Sequence, residues 1–212
     1  MLFLLFVYIC FIFLSCRSFF AARCILFTCI YTHEKKTSTL KIQNIYLRLK
    51  NVVLDLSANS GGAAPAAVYV LCWFLGVAPT SVTYMATGTE STMSYQADVN
   101  LDHEFDEKDT ISNLNLFCLT SSQSFSCANL VPWAFKEDGR VTLLGKTSGG
   151  GSCVVRPLTT ACYQISGASQ ISFVKNGAYY DVDQGVDPDY TIRDYNHFYD
   201  REALTEYING LF

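Results

Sequence analysis

Residues 114–147 have the sequence "LNLFCLTSSQSFSCANLVPWAFKEDGRVTLLGKT". The short apolar runs near its two ends, "LNLFCL" and "RVTLL", are typical of buried strands. Between them, "CANLVPWAFKEDG" predicts a helix that ends at a turn formed by Asp138 and Gly139. A strand, a helix and a second strand in this order are the repeating unit of α/β proteins, so the stretch predicts that fold class.

A second strand and helix lie earlier in the chain. Residues 52–56, "VVLDL", are almost continuously apolar and partly β-branched, which predicts a strand covered on both faces. The loop "SANSGG" follows, and an apolar helix is predicted from about Ala63 to Leu75, where Gly76 ends it. The segments "SVTYMATG" and "STMSYQADV" predict a hairpin with Gly88 in its turn.

Further strands and a helix are predicted towards the C-terminus. The segments "SCVVRPLTT", "CYQISGASQISFV" and "YYDVD" are typical of strands, and "GVDPDYTI" predicts a turn and an exit strand. The tail "DREALTEYINGLF" predicts an amphipathic helix with Asp200 as its N-cap. Together these segments predict a layered α/β structure with added β-hairpins.

The composition restricts the class of partner. Half of the 212 residues are apolar and 16% are charged, which suits one domain with a sizeable core. The net charge is −4 and lysine and arginine form no cluster, so we expect no nucleic-acid partner. The nine cysteines form no CxxC pair, and their odd number argues against a complete disulfide framework.

An apolar N-terminal segment, residues 1–32, precedes the predicted domain, residues 33–212. The chain is apolar up to Arg17, and a second apolar run reaches Tyr31. This pattern is typical of an export signal or a membrane anchor, although the basic residues that normally open a signal are absent. In that case the protein is extracellular or in the cell envelope, and it contacts a membrane only through this segment. The alternatives are a spurious start and a helix buried in a larger protein.

Three loops that follow predicted strands carry small and polar residues: "NSGG", "SFSCAN" and "KTSGGGS". Because ligands bind at the carboxyl ends of strands in α/β sheets, we expect these loops to share one cleft. Ser126, at the start of a predicted helix, is the candidate nucleophile. An oxyanion formed there would accept hydrogen bonds from the amide of Cys127 and from that of Gly61 or Gly62. The alternative is that Ser126 is only the N-cap of the helix.

The order of these blocks resembles that of the tail-specific, or C-terminal-processing, serine peptidases, including their tricorn-like branch. The resemblance covers roughly residues 50–192, from "NVVLDLSANSGG" to "DVDQGVDPDYTI". It implies the spiral of β-strands with flanking helices found in ClpP and crotonase, here with β-hairpin insertions, and a serine endopeptidase acting on a polypeptide through an acyl-enzyme. Ser126 then matches the nucleophile, Cys127 and the pair Gly61 and Gly62 match the oxyanion-hole donors, and residues 185–189 match the closing turn.

The general base is where the chain departs from this family. The Ser-Lys branch has a lysine at the position of Gly151, and Lys146 nearby is a minor candidate. The tricorn-like branch uses an upstream histidine oriented by an acidic residue before the closing turn. Asp183 is the candidate for that residue, and Asp181 is the runner-up.

None of the three histidines has the sequence context of the missing base. His33 lies in a polar, lysine-flanked stretch, His197 lies in the C-terminal tail, and His103 lies in an acidic loop. We therefore expect a fragment or an inactive copy, or an enzyme whose base is supplied by other sequence. The alternative function is a non-catalytic peptide-binding or structural relic that keeps the groove without the base.

The acidic loop "DVNLDHEFDEKD", residues 98–109, has the spacing of an EF-hand calcium loop and is similar to the dockerin type, which closes with Asp. Phe105 is expected to anchor the loop in the core. His103 takes the turn that glycine normally makes, since histidine tolerates a positive φ better than bulky residues do. We expect structural Ca²⁺ in an insertion between hairpin strands at about residues 84–112, the alternative being a solvated acidic hairpin. The predicted ligands are Asp98, Asn100, Asp102, the backbone carbonyl of Glu104, Asp106 and Asp109.

Overall fold

The described part of the chain contains ten strands and four α-helices. The computed structural model describes residues 3–8, 30–31, 49–84, 87–151, 153–160, 163–172 and 182–211. The strands are β1 (Phe3–Tyr8), β2 (Ile30–Tyr31), β3 (Leu49–Asp55), β4 (Ala78–Tyr84), β5 (Thr89–Tyr95), β6 (Asn115–Thr120), β7 (Val141–Gly145), β8 (Cys153–Thr160), β9 (Tyr163–Ser172) and β10 (Tyr190–Thr191). The helices are α1 (Ala64–Leu75), α2 (Cys127–Asp138), α3 (Asn196–Tyr199) and α4 (Arg201–Leu211).

A six-stranded sheet with the order β10-β7-β6-β3-β1-β2 forms the centre of the fold. Its neighbouring strands are parallel except for β1 and β2, which are antiparallel. The predicted unit of strand, helix and strand is present as β6, α2 and β7, and β6 and β7 are adjacent in the sheet. The predicted α/β fold class is confirmed.

Strand β3, in the interior of the central sheet, is covered on both faces, as the apolar run at residues 52–56 predicts. Val52 and Leu54 pack with α1 and α2 in one cluster, whereas Val53 packs with α4 in a second cluster on the other face. Helix α1 ends at Gly76, which adopts a left-handed conformation with φ 84° and donates its amide to the Cys72 carbonyl at 2.7 Å. The predicted bounds of this helix are therefore confirmed to within a residue.

A second sheet has the order β5-β4-β9-β8 and is antiparallel throughout. Strands β4 and β5 form the predicted hairpin, with Gly88 in its turn, and β8 and β9 match two further predicted strands. The prediction of a strand at "YYDVD" is wrong for its last part, because Val182–Gln184 form a short 3-10 helix. Residues 179–181 lie outside the described residues.

The structure describes the C-terminal helix fully and the N-terminal segment only in part. At the C-terminus, the Asp200 carboxylate accepts the amides of Glu202 at 2.9 Å and Ala203 at 3.2 Å, which confirms the N-cap of α4. At the N-terminus, β1 pairs in parallel with β3. Most of residues 1–32 lie outside the described residues, and their role as a signal or an anchor stays a prediction. Within the described residues, no helix is both long and apolar enough to cross a bilayer.

Candidate active site

Ser126 lies at the turn between β6 and α2 in an unusual backbone conformation, with φ 56° and ψ −121°. Residues other than glycine rarely adopt a positive φ, and such strain costs on the order of 1–3 kcal/mol. The side chain is half-buried and makes no capping hydrogen bond to the helix, so Ser126 is not an ordinary N-cap. A strained turn from a strand into a helix is a geometry that presents a serine hydroxyl at a sheet edge.

Contacts from two other loops hold this turn in place. The Ser126 amide donates to the Gly150 carbonyl at 2.8 Å, and the Phe125 amide donates to the Asn59 carbonyl at 3.2 Å. Asn59 follows β3, whereas Gly150 follows β7. The three loops at the carboxyl ends of these strands therefore meet at Ser126, as predicted.

Gly61 packs directly against the candidate nucleophile. A Cβ atom at this position would lie 2.7 Å from both the Phe125 carbonyl oxygen and Ser126 Cβ, and 3.2 Å from the Cys127 nitrogen. Gly61 also has φ +99°, which side chains rarely permit. Only glycine therefore lets this loop approach the serine so closely.

The amide groups around Ser126 differ in availability. The Gly61 amide donates to the Asn59 side-chain oxygen at 2.9 Å, so it is already engaged. Within the described residues, no oxygen atom accepts the amides of Gly62 and Cys127, and the Gly62 backbone lies against the Cys127 sulfur. Of the two predicted glycine donors, Gly62 is therefore the better fit to an oxyanion hole with Cys127.

The Cys127 thiol is a structural donor in this site. It donates to the Gly62 carbonyl at 3.1 Å. Burial raises the pKa of the Cys127 thiol, and hydrogen bonds that the sulfur accepts from the Gly62 backbone and the Ser126 side chain only partly oppose this effect. A protonated thiol is a weak nucleophile, because the thiolate is the reactive form. The buried, protonated Cys127 thiol is therefore not an activated nucleophile in this site.

Asp183 lies beside the same glycine loop. It is an exposed residue of the 3-10 helix Val182–Gln184. A Cβ atom at Gly150 would lie 2.0 Å from the Asp183 carbonyl oxygen, so the two backbones are in contact. Gly150 thus contacts both Asp183 and Ser126, whose amide its carbonyl accepts. Asp181, the runner-up, lies outside the described residues.

Aromatic rings contact both Gly151 and Lys146, the two positions at which the sequence analysis sought a lysine base. At Gly151, where the Ser-Lys branch has its base, a Cβ atom would lie 2.7 Å from the ring of Phe125. The aromatic ring therefore fills the space that a lysine side chain would need. The Lys146 ammonium lies 3.6 Å from the ring centroid of Tyr195, and its hydrogen bond and charge lower the pKa of the Tyr195 hydroxyl.

The described histidines have partners other than Ser126. His103 lies in the acidic loop, 3.9 Å from a carboxylate oxygen of Asp98. His197 lies on α3 with its ring centroid 5.0 Å from that of Tyr207, which packs on the sheet face covered by α4. Neither makes a hydrogen bond to Ser126 within the described part of the chain. His33 lies outside that part.

Two buried polar residues near the site were missed in the sequence analysis. Asn129 is fully buried in the first turn of α2, and Ser148 is buried in the glycine-rich loop. The Ser148 hydroxyl donates to the Asn129 side-chain oxygen at 2.6 Å. The available signal was that Asn129 carries the one side-chain amide in the otherwise apolar run "CANLVPWAF".

The acidic loop follows the β4–β5 hairpin and leads into β6, so it does not lie between hairpin strands as predicted. Phe105 is 62% exposed, and the prediction that it anchors the loop in the core is wrong. His103 does adopt a positive φ, 68°, as expected. The carboxylate of Asp109 is buried and accepts the amides of Val99 at 2.7 Å and Asn100 at 3.2 Å.

Three exposed acidic side chains of this loop lie close together. Ligand atoms of Asp102, Glu104 and Asp106 are within 4.8 Å of one another. The Lys108 ammonium lies 2.7 Å from Asp106 and 3.7 Å from Asp102, and its hydrogen bond lowers the pKa of Asp106. A lysine cation therefore competes for the same oxygens as a metal ion, and calcium binding stays a prediction.

Comparison with known proteins identifies one family. A model of Peptidase family S41 matches residues 30–192. No curated protein matches the chain. The predicted resemblance to tail-specific serine peptidases is confirmed at the level of this family.

Solved structures share the fold at low sequence identity. The photosystem II D1 C-terminal processing protease is 21% identical with a TM-score of 0.55, over 71% of this chain and 36% of its own. A lipoprotein from Streptococcus agalactiae is 17% identical with a TM-score of 0.58, over 96% of this chain and 66% of its own. Mature CPAF, in complex with lactacystin, is 15% identical with a TM-score of 0.51, over 80% of this chain and 44% of its own. The chain thus spans 36–66% of the length of these structures.

Proposed function

The chain belongs to Peptidase family S41, and from this premise we propose that it is a serine-type endopeptidase with Ser126 as its nucleophile. The observation that carries the proposal is the strained Ser126 turn, which two other loops hold beside the amides of Gly62 and Cys127. Backbone strain that the surrounding structure maintains is characteristic of functional sites. The substrate is a polypeptide.

The proposed reaction is acyl transfer to the serine. The Ser126 oxygen bonds to the carbonyl carbon of the substrate while its proton passes to a general base. The resulting oxyanion accepts hydrogen bonds from the Gly62 and Cys127 amides, and loss of one such donor costs roughly a hundred- to thousandfold in rate. The C–N bond then breaks, the amine leaves with a proton, and water hydrolyses the acyl-enzyme. Asp183 is the carboxylate that would orient the base.

A non-catalytic peptide-binding relic is the second candidate. It is favoured by the Phe125 ring, which fills the space of a lysine at Gly151, and by the partners that His103 and His197 have elsewhere. In this case the groove at Ser126 binds an extended peptide without cleaving it.

A fluorophosphonate probe separates the two functions because it reacts with activated serines. The folded full-length protein is expected to be labelled, and Ser126→Ala is expected to remove the labelling. Ser122→Ala is the matched control, since Ser122 is exposed in the same loop, and this variant is expected to keep the labelling. An unlabelled folded wild-type protein would favour the relic, and labelling that persists in Ser126→Ala would exclude Ser126 as the nucleophile.

Calcium binding by residues 98–109 and a location outside the cytoplasm are further proposals. The EF-hand spacing supports the first, and the apolar residues 1–32 support the second. The two proposals are compatible, because calcium outside the cell reaches millimolar concentrations, at which extracellular calcium sites are occupied. Fractionation of cells that produce the full chain tests the location, and recovery in the cytosolic fraction alone would contradict it.

A further inference from the structure

We propose that Asn129 and Ser148 are positioning residues that hold the segment containing Asp183 against the Ser126 loop. The inference rests on the proposed function of Ser126 and Asp183. It adds two residues that act on the site through buried hydrogen bonds.

Asn129 connects the nucleophile helix to the Asp183 segment. It lies three residues after Ser126 and is 0% exposed. Its side-chain amide donates to the Val182 carbonyl at 2.8 Å, and its side-chain oxygen accepts the Ser148 hydroxyl at 2.6 Å. Both ends of the side chain are therefore engaged, each with a different loop.

Ser148 holds the other end of the Asp183 segment. Its hydroxyl accepts the Val186 amide at 2.8 Å, and its own amide donates to the Val186 carbonyl at 3.1 Å. Asn129 contacts Val182 on one side of Asp183, and Ser148 contacts Val186 on the other. The two side chains thus fix the short segment at both of its ends.

The backbones of the glycine-rich loop and of the segment containing Asp183 are in close contact. A Cβ atom at Gly185 would lie 2.2 Å from the Ser148 carbonyl oxygen, and one at Gly150 would lie 2.0 Å from that of Asp183. The same glycine loop binds the amide of Ser126 through Gly150. A shift of the Asp183 segment would therefore change its position relative to the serine.

Loss of either side chain leaves a buried polar group of its partner unpaired, which disfavours the close approach of the loops. Asn129→Leu and Ser148→Ala are expected to lower the rate of fluorophosphonate labelling at Ser126 by roughly ten- to a hundredfold, since displacements of about 1 Å have effects of this order. The loss is expected in the rate constant of bond formation and not in the affinity for the probe, because neither side chain is placed in the groove.

A matched control separates positioning from a general loss of stability. Asn115→Leu removes the hydrogen bond from the Asn115 side chain to Asn51 at 2.8 Å, at the amino ends of β6 and β3. All variants are labelled well below their own unfolding temperatures. Asn115→Leu is expected to label at the wild-type rate. Equal losses in Asn115→Leu and in the two positioning variants, or no loss in either positioning variant, would overturn the inference.

Hydrogen–deuterium exchange tests the inference independently of serine reactivity. In Ser148→Ala and Asn129→Leu, the amides of residues 182–186 are expected to exchange at least about tenfold faster than in the wild type, because the segment loses a hydrogen bond that holds one of its ends. Asn115→Leu is expected to leave them unchanged. An unlabelled wild-type protein with this exchange pattern would refute the proposed activity and keep the positioning role, whereas unchanged exchange in the positioning variants would refute that role.

Discussion

The Ser126 turn and the acidic loop at residues 98–109 both place non-glycine residues at positive φ. Ser126 has φ 56°, whereas Leu101 and His103 in the acidic loop have φ 66° and 68°. At the Ser126 turn, the amides of Phe125 and Ser126 donate to the carbonyls of Asn59 and Gly150, which follow two other strands of the sheet. In the acidic loop, the amides of Leu101 and His103 bond to the side chain of Asp98, three and five residues away.

This difference indicates which residues with an unusual backbone conformation mark a functional site. The Asp98 carboxylate accepts the amides of Leu101 and His103 at 2.6 Å and 2.9 Å, so one local side chain binds both residues that have a positive φ. Short polar side chains commonly make such turns on the surface. At Ser126, separate parts of the fold must cooperate to maintain the strain, which is the pattern of a functional site.

Gly61→Ala is expected to disrupt the Ser126 turn and to give the largest loss of stability among these variants. The new Cβ atom would lie 2.7 Å from Ser126 Cβ at a backbone φ of +99°. Left-handed backbone costs alanine roughly 1–2 kcal/mol, and overpacking costs about 1–3 kcal/mol more. We therefore expect the free energy of unfolding in urea to fall by about 2–5 kcal/mol, together with a loss of fluorophosphonate labelling.

Gly139→Ala is the control for this prediction. Gly139 has a similar φ, +81°, and no heavy atom lies within 4 Å of the added Cβ. Its cost should be roughly 1–2 kcal/mol, from the backbone alone. Equal losses in the two variants would show that the contact between Gly61 and Ser126 is not tight.

The same contrast explains what the sequence predicted and what it could not. Local patterns were sufficient for the strand at residues 52–56, for α2 and for the Asp200 cap, because periodicity and capping depend on neighbours in sequence. The strand predicted at residues 179–183 instead enters a 3-10 helix at Val182, since Asn129 and the glycine loop, both distant in sequence, hold that segment. Spacing likewise found the loop of Ser126, but could not show that Phe125 covers Gly151.

Calcium addition tests whether the acidic loop binds a metal ion. Extracellular calcium modules bind with dissociation constants on the order of 10⁻⁴–10⁻³ M. At a calcium concentration ten times that constant, binding would stabilise the fold by about 1.4 kcal/mol, measured as a rise in melting temperature. The rise should vanish in the variant that combines Asp98→Ala with Asp102→Ala.

Two further variants control the calcium experiment. Glu107→Ala changes an exposed carboxylate of the same loop that has no predicted ligand role, and it should keep the rise. Lys108→Gln should increase the calcium affinity, because the lysine ammonium lies 2.7 Å from Asp106. No calcium-dependent rise in the wild-type protein would leave the loop as a solvated acidic segment.

Phe105→Ser gives the smallest expected effect and tests whether the acidic loop depends on the core. An EF-hand interpretation requires an apolar anchor at this position, and removal of a buried phenylalanine side chain typically costs about 3–5 kcal/mol. In the structure, Phe105 is 62% exposed, whereas the buried member of the loop is Asp109, which three backbone amides bond. The free energy of unfolding should therefore change by less than about 0.5 kcal/mol, as for ordinary surface substitutions. A loss of several kcal/mol would mean that the loop packs on the core in solution, and its contrast with the Ser126 turn would then be smaller than the contacts indicate.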